Sequence, residues 1–258
     1  MGILNTTPDS FFDGGRYSGM KAIMARVEQM IVDGADIIDI GGASSRPGAV
    51  MVPEEEEWHR IKPVISELRK SNDGICISVD TFHSGIAARA LDLGADMIND
   101  ISGGTIDPAM PAVIGRSDIP IVVMHMQGKP DKMQADPQYD NVVADIRAFF
   151  MQQIEIFNSA GATKLILDPG FGFGKTVEHN FILLNELQSF ASLGYPILAG
   201  LSRKSMINKV LNTKPEDALN GSSVLNTVAL LHGANILRVH DVRAAVEAVK
   251  LIEKLQSC

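Results

Sequence analysis

The stretch Asp33-Gly34-Ala35-Asp36 joins the end of a helical pattern to a short apolar run, and it decides the architecture of the chain. Nearly the same phrase returns as Leu93-Gly94-Ala95-Asp96, Ala160-Gly161-Ala162 and His232-Gly233-Ala234-Asn235. A glycine at such a place ends a helix in the left-handed conformation, which costs little without a Cβ. Four copies of one helix-to-strand connection indicate a repeated βα unit.

Outward from these connections, short apolar runs alternate with longer amphipathic stretches, which is typical of βα units around a parallel sheet. The predicted strands are 1–4, 37–40, 75–79, 97–99, 119–124, 165–167, 196–199 and 236–239. The predicted helices are 20–33, 54–70, 84–93, 108–115, 140–160, 179–191, 205–232 (broken near Pro215) and 242–256. Eight strands with eight helices favour a closed (β/α)8 TIM barrel, and a doubly wound open sheet is the alternative.

The size and charge of the chain narrow the choice of function. Its 258 residues are close to the roughly 250 of a one-domain barrel, and no linker or low-complexity tract divides them, so we expect one domain over 1–258. The net charge is −8, and no basic run suits nucleic acid or an anionic membrane. No apolar run reaches the ~18 residues of a membrane span and no signal peptide opens the chain, so we expect a cytoplasmic protein.

Polar and glycine-rich residues are concentrated just after the predicted strands. In a (β/α)8 barrel these positions form one rim, which holds the catalytic site. A single Asp or Asn after a strand is more often a helix cap, but eight polar strand ends on one rim favour a functional site. The clusters are 5–10, 44–48, 80–81, 99–100, 125–127, 168–170, 202–204 and 238–241.

Cationic side chains gather on one side of this rim although the protein is acidic overall. Closure of the barrel makes the eighth strand a neighbour of the first, and therefore of Asn5. This is near the usual phosphate site of the fold, so an anionic substrate is expected. The cationic group comprises Arg46, Arg203, Lys204, Arg238 and His240.

Asp80, Asn99 and Asp168 end strands three, four and six on the facing side. A carboxylate can accept two parallel N–H bonds, and such charge-assisted pairs are strong, so this set suits a heterocycle with several N–H donors. A metal site is another use of carboxylates. No histidine cluster supports zinc, whereas Mg²⁺ held by phosphate oxygens and one protein ligand remains open.

The glycine-rich stretch 170–176 resembles a nucleotide-binding loop. A P-loop requires G-x-x-x-x-G-K-[ST], and its first glycine would fall on Pro169, so the match fails by one position. We expect instead a mobile glycine loop over the rim, with Phe171 and Phe173 as aromatic walls.

Taken together, these phrases resemble the dihydropteroate synthase family of pterin-binding enzymes. The resemblance runs in order through 2–11, 41–48, 78–81, 98–101, 124–128, 168–175, 202–205 and 238–241. Two departures fall in the second loop, where the family usually has Glu-Ser-Thr and this chain has Ala43-Ser44-Ser45. The family also normally begins with an N-terminal hairpin, for which this sequence has no counterpart.

The resemblance implies condensation of 6-hydroxymethyl-7,8-dihydropterin diphosphate with p-aminobenzoate, giving 7,8-dihydropteroate and pyrophosphate for folate biosynthesis. The electron-rich pterin suggests a dissociative substitution at its methylene. The implied catalytic residues are Asp80, Lys204, Arg238 and His240. The implied pterin contacts are Asp80, Asn99, Met124, Asp168 and Lys204. The implied diphosphate contacts are Asn5, Arg46, Arg238 and His240, with Asn5 also the Mg²⁺ ligand. The implied p-aminobenzoate pocket is Ser45, Pro47, Phe173, Ser202 and Lys204.

The resemblance also implies Mg²⁺ as cofactor, a homodimer, and inhibition by sulfonamides. Two other interpretations share these residues. Pterin-binding methyltransferases use the same barrel and the same Asp and Asn set, although the loops 45–48 and 202–205 favour the synthase. A non-catalytic paralogue acting as a binding subunit is the second, and the intact anion-binding residues argue against it.

Overall fold

The computed structural model describes residues 1–6, 16–43, 52–71, 74–128 and 137–258. Its strands are β1 Gly2–Asn5, β2 Ile37–Gly41, β3 Cys76–Asp80, β4 Met97–Asp100, β5 Ile121–Met124, β6 Leu165–Asp168, β7 Leu198–Ala199 and β8 Ile236–Leu237. Its α-helices are α1 Arg16–Val32, α2 Glu54–Ser71, α3 Ser84–Asp92, α4 Met110–Gly115, α5 Val142–Ser159, α6 Val177–Asn185, α7 Ser205–Leu211, α8 Leu219–Leu231 and α9 Val242–Gln256. Two 3₁₀ segments cover Leu187–Leu193 and Pro215–Asp217. Of the helices described, none is long and apolar enough to cross a membrane.

The strands form a ring of parallel neighbours. β1 to β6 pair in chain order, and β7 pairs with β8. A parallel bridge between Leu167 and Ile197 joins β6 to the β7 side, and another between Gly2 and Val239 joins the eighth strand to β1. At the second junction, the amide of Ile3 donates to the carbonyl of Val239 at 2.9 Å. The predicted (β/α)8 barrel is confirmed, and the open sheet is excluded.

The glycines of the repeated phrase adopt the conformation that the sequence predicts. They follow α1, α3, α5 and α8, with φ angles of 96° at Gly34, 90° at Gly94, 90° at Gly161 and 92° at Gly233. In each connection the next alanine donates its amide to the carbonyl five residues back, for example Ala35 to Met30 at 2.9 Å. This pattern satisfies the free carbonyls of a helix end and turns the chain directly into the next strand.

Two predicted helices are each divided in the structure. The predicted helix 205–232 becomes α7, a 3₁₀ turn at Pro215–Asp217 and α8, because Asn212 ends α7 in the left-handed conformation (φ 53°). The predicted helix 179–191 becomes α6 and a separate 3₁₀ segment, which ends at Gly194. α9 has the predicted bounds.

The interior of the barrel changes from apolar to polar along β4 and β6. Met97, Val122, Ile166 and Leu198 form a buried apolar layer across β4 to β7. Side chains two residues apart in a strand point to the same face. The position two residues after Met97 is therefore interior too, and it is Asn99; the one after Ile166 is Asp168. The apolar layer thus closes the barrel beneath a polar layer at the carboxyl ends of the strands.

Gly103, in the turn after β4, is predicted to be a position where alanine is poorly tolerated. Its φ is 58°, and an added Cβ would lie 2.7 Å from the carbonyl oxygen of Met124 on β5. Gly194 has φ 81° and open space around an added Cβ, so it is the matched control. Gly194→Ala carries only the left-handed backbone cost of about 1–2 kcal/mol. Gly103→Ala adds a steric cost of about 1–3 kcal/mol.

Urea unfolding of the parent and the two variants measures the difference. We expect the free energy of unfolding to fall further for Gly103→Ala than for Gly194→Ala. Equal losses would show that the close approach of β4 and β5 at Gly103 does not constrain the fold.

Candidate active site

A largely buried guanidinium lies at the centre of the rim. Arg238 follows β8, and its Nε donates to Oδ2 of Asp39 at 2.7 Å while an Nη donates to Oδ2 of Asp80 at 2.6 Å. Its side chain is 15% exposed, and that of Asp39 is fully buried. Although burial lowers it, the two carboxylates raise the pKa of Arg238 above its usual value. Arg238 is therefore held on β2 and β3 before any ligand arrives.

Asp39 is a residue of this site that the sequence analysis did not select. It accepts hydrogen bonds from the hydroxyl of Ser78 at 2.6 Å and the amide of Asn99 at 3.0 Å, besides that of Arg238. It lies inside β2, two residues before the strand ends. The search for polar residues after the strands therefore did not include it. One feature of the sequence could have identified it. An ionisable residue within an apolar strand is rarely buried without partners, so its presence indicates a polar network.

Asp80 and Asn99 are adjacent across β3 and β4, as the pairing of these two residues shows. Burial raises the pKa of Asp80, and Arg238 opposes that rise. The guanidinium that contacts Asp80 is always protonated, and it therefore favours the ionised form of this carboxyl. The structure thus brings together the carboxylate and the amide that the sequence placed on the pterin side of the rim.

Asp168 and Met124 end β6 and β5 and are paired in register. One oxygen of Asp168 accepts the amide of Gly170 at 2.8 Å. Burial raises the pKa of Asp168, while the Gly170 hydrogen bond, Lys204, Arg238 and Lys175 act in the opposite direction. A buried carboxylate surrounded by cations on several elements is suited to accept N–H donors from a ligand.

An apolar cluster borders these polar groups. It consists of Phe82, Ile101, Met124 and Phe173, which are all buried. Phe82 and Ile101 were not selected from the sequence, because single apolar residues after a strand cannot be told from core residues. A flat apolar surface beside hydrogen-bonding groups is the usual composition of a site for an aromatic heterocycle.

Lys204 lies over one of these aromatic rings. Its ammonium is 4.2 Å from the centroid of Phe173, a cation–π geometry. Burial lowers the pKa of Lys204 to about 8, and Asp168 limits that fall. The glycine turn places the Phe173 ring beside Lys204. The Phe171 ring, predicted from the sequence as a second aromatic wall, is instead fully buried in the main core.

Ser202 and His240 meet where the seventh and eighth strands end. The Ser202 hydroxyl lies 3.1 Å from Nδ1 of His240 and accepts the His240 amide at 3.1 Å. His240 does not carry the positive charge that the sequence suggested. Burial, together with Arg238 and Arg203, lowers its pKa to about 4, so its ring is neutral at pH 7 in the free protein.

Arg203 turns away from the centre of the rim. It has a left-handed backbone (φ 57°) and makes two hydrogen bonds to the carboxylate of Asp241, at 2.9 and 2.7 Å. The cations predicted at this rim therefore do not all point to one place. Lys204 and Arg238 face the interior, whereas Arg203 forms an ion pair with Asp241 at the edge.

Asn5 ends β1 next to Gly41, which in turn is paired with Asp80. A Cβ added at Gly41 would lie 3.5 Å from Cβ of Asp80 and 3.8 Å from Oδ1 of Asn5. Glycine at 41 thus keeps open the space between an amide oxygen and a carboxylate. Ser45, Arg46 and Pro47, which the sequence also placed at the site, lie outside the described residues.

The arrangement has two halves around one arginine. Asp80, Asn99 and Asp168 present acceptors and an amide beside an apolar wall. On the other side Lys204 presents a cation near Phe173, and Ser202 and His240 contact each other. Among the described residues, no group of three or more His, Cys, Asp or Glu side chains could hold a metal ion. Such a site can bind a flat polar heterocycle, and its cations can stabilise an anion.

Comparison with known proteins gives a consistent result. The pterin-binding enzyme family matches residues 1–240. A dihydropteroate synthase of Haemophilus influenzae is 46% identical over 97% of this chain and 91% of its own length. A solved dihydropteroate synthase from Clostridium difficile, in the presence of pteroic acid, is 41% identical with a TM-score of 0.93, covering 98% of this chain and 95% of that one. The Yersinia pestis enzyme, in a sulfonamide drug complex, is 42% identical with a TM-score of 0.93, covering 100% and 94%.

These similarities extend over nearly the whole length of each protein, and the same barrel underlies them all. The synthase relatives also decide between the interpretations that the strand-end Asp and Asn residues leave open. The chain belongs to the pterin-binding enzymes and, within them, to the dihydropteroate synthase family.

Proposed function

We propose that the two halves of the rim bind the two substrates of dihydropteroate synthase, with Arg238 between them. The enzymes of this family transfer a pterinylmethyl group to an arylamine in folate biosynthesis. The observation that carries the assignment of residues is the fixed position of Arg238, held by Asp39 and Asp80 at 2.7 and 2.6 Å.

The pterin is proposed to lie against Met124, with its N–H groups on Asp168 and Asp80 and its carbonyl side on Lys204. Burial raises the pKa of Asp168, and three cations oppose that rise; in its ionised form Asp168 can accept two N–H bonds from one edge of the ring. Asn99 is fixed by its bond to Asp39 and offers its amide oxygen as a further acceptor. The pteroic acid associated with the Clostridium difficile relative supports a ligand of this class.

The diphosphate is proposed to lie over Asn5, Arg46, Arg238 and His240. An arginine has five N–H donors, and two of those on Arg238 are used by carboxylates, so others remain for phosphate oxygens. His240 is neutral in the free protein, and an adjacent dianion would favour its protonation. Preplaced donors of this kind stabilise the negative charge of a departing pyrophosphate.

Mg²⁺ fits the donor set at this end of the rim. Magnesium usually takes one or two protein oxygens and completes its shell with water and substrate phosphates. The amide oxygen of Asn5 faces the gap above Gly41, so Asn5 would hold the ion together with the diphosphate. When bound, the ion would neutralise part of the charge on the pyrophosphate oxygens.

The p-aminobenzoate is proposed to lie between Phe173, Lys204 and Ser202, with Ser45 and Pro47 from the second loop. The Phe173 ring offers an aromatic face, and Lys204 offers a cation above that face for the carboxylate. With a pKa lowered to about 8, Lys204 remains largely protonated at neutral pH.

The reaction is proposed to be dissociative. The C–O bond at the pterin methylene breaks, the electron pair leaves with pyrophosphate, and the electron-rich pterin carries the positive charge. The aniline nitrogen then forms the new C–N bond and loses one proton, which pyrophosphate or water takes up. Asp80 is a largely buried carboxylate, 13% exposed, proposed to lie beside that cation, and a negative charge stabilises the charge that develops there.

The finer features of the assembly are also proposals. Exposed apolar side chains on α6, α7 and α8 offer a surface for a second copy of the chain, in a homodimer; they are Ile182, Val210, Leu211, Leu219, Val224 and Leu231. α7 contacts both of the other helices, so these side chains share one flank of the barrel. We further propose a single domain over 1–258 and a cytoplasmic location.

The direct test is to incubate the protein with 6-hydroxymethyl-7,8-dihydropterin diphosphate, p-aminobenzoate and Mg²⁺, and to measure dihydropteroate and pyrophosphate. We predict equal amounts of both products from the parent. For Asp168→Asn, we predict loss of pterin affinity by about 2–4 kcal/mol, because an N–H₂ group then faces a donor of the ligand.

Calorimetry with a pterin ligand measures this change, and Asp92→Asn on the exposed end of α3 is the control. We expect the control to bind as the parent does. An unchanged dissociation constant for Asp168→Asn would remove Asp168 from the site, and absence of product from the parent would remove the proposed function.

Sulfonamides are predicted to compete with p-aminobenzoate, because they carry the same aniline and an acidic para group. The sulfonyl substituent is bulkier than a carboxylate and extends beyond the substrate outline. Phe173→Leu should therefore weaken drug binding more than substrate binding, by about 1–2 kcal/mol, since specificity is a difference between two affinities.

Steady-state kinetics at several drug concentrations measure this difference, with Phe181→Leu on α6 as the control. Raising p-aminobenzoate should relieve the inhibition of all three proteins. Inhibition that persists at saturating p-aminobenzoate would show that the pocket is placed wrongly.

A further inference from the structure

Lys175 is a buried ammonium for which the proposed reaction has no direct use. It closes the glycine-rich turn after β6, and it is the lysine that made this stretch resemble a P-loop. Lys175 is only 3% exposed, which is unusual for a lysine. A buried lysine must find partners for its donors, and those partners show what it does.

Four acceptors surround the Nζ atom of Lys175 at hydrogen-bond distance. They are the carbonyls of Gly170 and Phe173, each at 3.0 Å, Nδ1 of His125 at 3.1 Å and the carbonyl of His125 at 3.3 Å. An ammonium has three N–H donors and no acceptor, so a shell made up of acceptors suits its protonated form. Burial and the nearby Lys175 lower the pKa of His125 to about 3, so that its ring is neutral and can accept.

These contacts join two strand ends. His125 follows β5, while Gly170 and Phe173 belong to the turn after β6, so the ammonium fixes the turn on the neighbouring strand. The outer side of the turn is supported separately, because the hydroxyl of Tyr139 donates to the carbonyl of Gly174 at 2.9 Å. Lys175 therefore holds the backbone of Phe173, whose ring contacts Lys204.

Lys175 also acts on Asp168. Burial raises the pKa of Asp168, and the Lys175 charge opposes that rise; burial lowers the pKa of Lys175 to about 7, and Asp168 opposes that fall. The other charged groups that face Asp168 are Lys204 and Arg238, after β7 and β8. Lys204 also faces Lys175 and opposes its charge. Lys175 is the cation on the same strand end as Asp168.

We propose that Lys175 is a positioning residue that couples the two substrate subsites: its ammonium binds the turn that carries Phe173 for the arylamine, and through Gly170 it supports the Asp168 carboxylate for the pterin. This rests on the proposed function, since Asp168 must be the pterin acceptor. Lys175 touches neither substrate. The glycine-rich turn thus serves as a frame around one buried charge, rather than as a cradle for phosphate.

The pH dependence of pterin binding tests the proposal. Without the Lys175 charge, the pKa of Asp168 rises, so its ionised form is lost at a higher pH as the solution is acidified. For Lys175→Gln, which keeps N–H donors but no charge, we expect 6-hydroxymethylpterin to bind about tenfold more weakly than to the parent at pH 6. At pH 8 we expect the difference to narrow to about threefold or less.

Fluorescence titration of the parent, Lys175→Gln and the surface control Lys250→Gln between pH 5.5 and 8 gives these values. Comparison at each pH with one ligand cancels the titration of the ligand itself. The control should follow the parent. A pH-independent loss, or no loss, in Lys175→Gln would overturn the proposal. Failure of the parent to bind the pterin would instead contradict the proposed function.

A double-mutant cycle on melting temperature tests the proposal if Lys175→Gln folds poorly. We measure the melting temperature of the parent, Lys175→Gln, Asp168→Asn and the double variant. If the two charges support each other, Lys175→Gln lowers the melting temperature less in the Asp168→Asn background than in the parent. Equal decreases in both backgrounds would overturn the proposal.

Discussion

The contact of Arg238 with two carboxylates is the constraint on which the rest of the site depends. The guanidinium joins β8 to β2 and β3 across the top of the barrel, and Asp39 connects it further to Ser78 and Asn99. A buried ion pair is costly to form and strongly destabilising to break on one side only. We infer that this cost is borne because it fixes the donors before the substrates bind, so that little reorganisation remains for the reaction.

The barrel places this network by a simple alternation. Interior positions lie two residues apart along a strand, and on the carboxyl side they change from apolar to polar, as from Ile166 to Asp168. The apolar layer excludes water from below, so charges above it interact more strongly than they would in solvent. At the opposite end, the glycine connections end each helix and lead the chain into the next strand, and they carry no site residues. Stability and chemistry are therefore assigned to different ends of the same strands.

Much of this could be predicted from the sequence, because both the αβ connections and the strand ends carry local signals. All eight strands, the rim and the residues Asp80, Asn99 and Asp168 follow from periodicity and from polar residues after apolar runs. Asp39 could not be found in this way, since its role depends on partners 39, 60 and 199 positions away. The charge state of His240 was missed for a similar reason: Arg238 and Arg203 oppose its protonation through space.

The most direct test of the account is the kinetic effect of Asp39→Asn, because Asp39 touches no substrate in the proposed arrangement. If it acts by holding Arg238 and Asn99, its loss should lower kcat about a hundredfold, as expected for a misplaced reacting group. KM for p-aminobenzoate should stay within about threefold, because that subsite lies on the other half of the rim. The assay is made well below the melting temperature of the variant. A kcat within about threefold of the parent would contradict the account, since the position of Arg238 would then not limit catalysis.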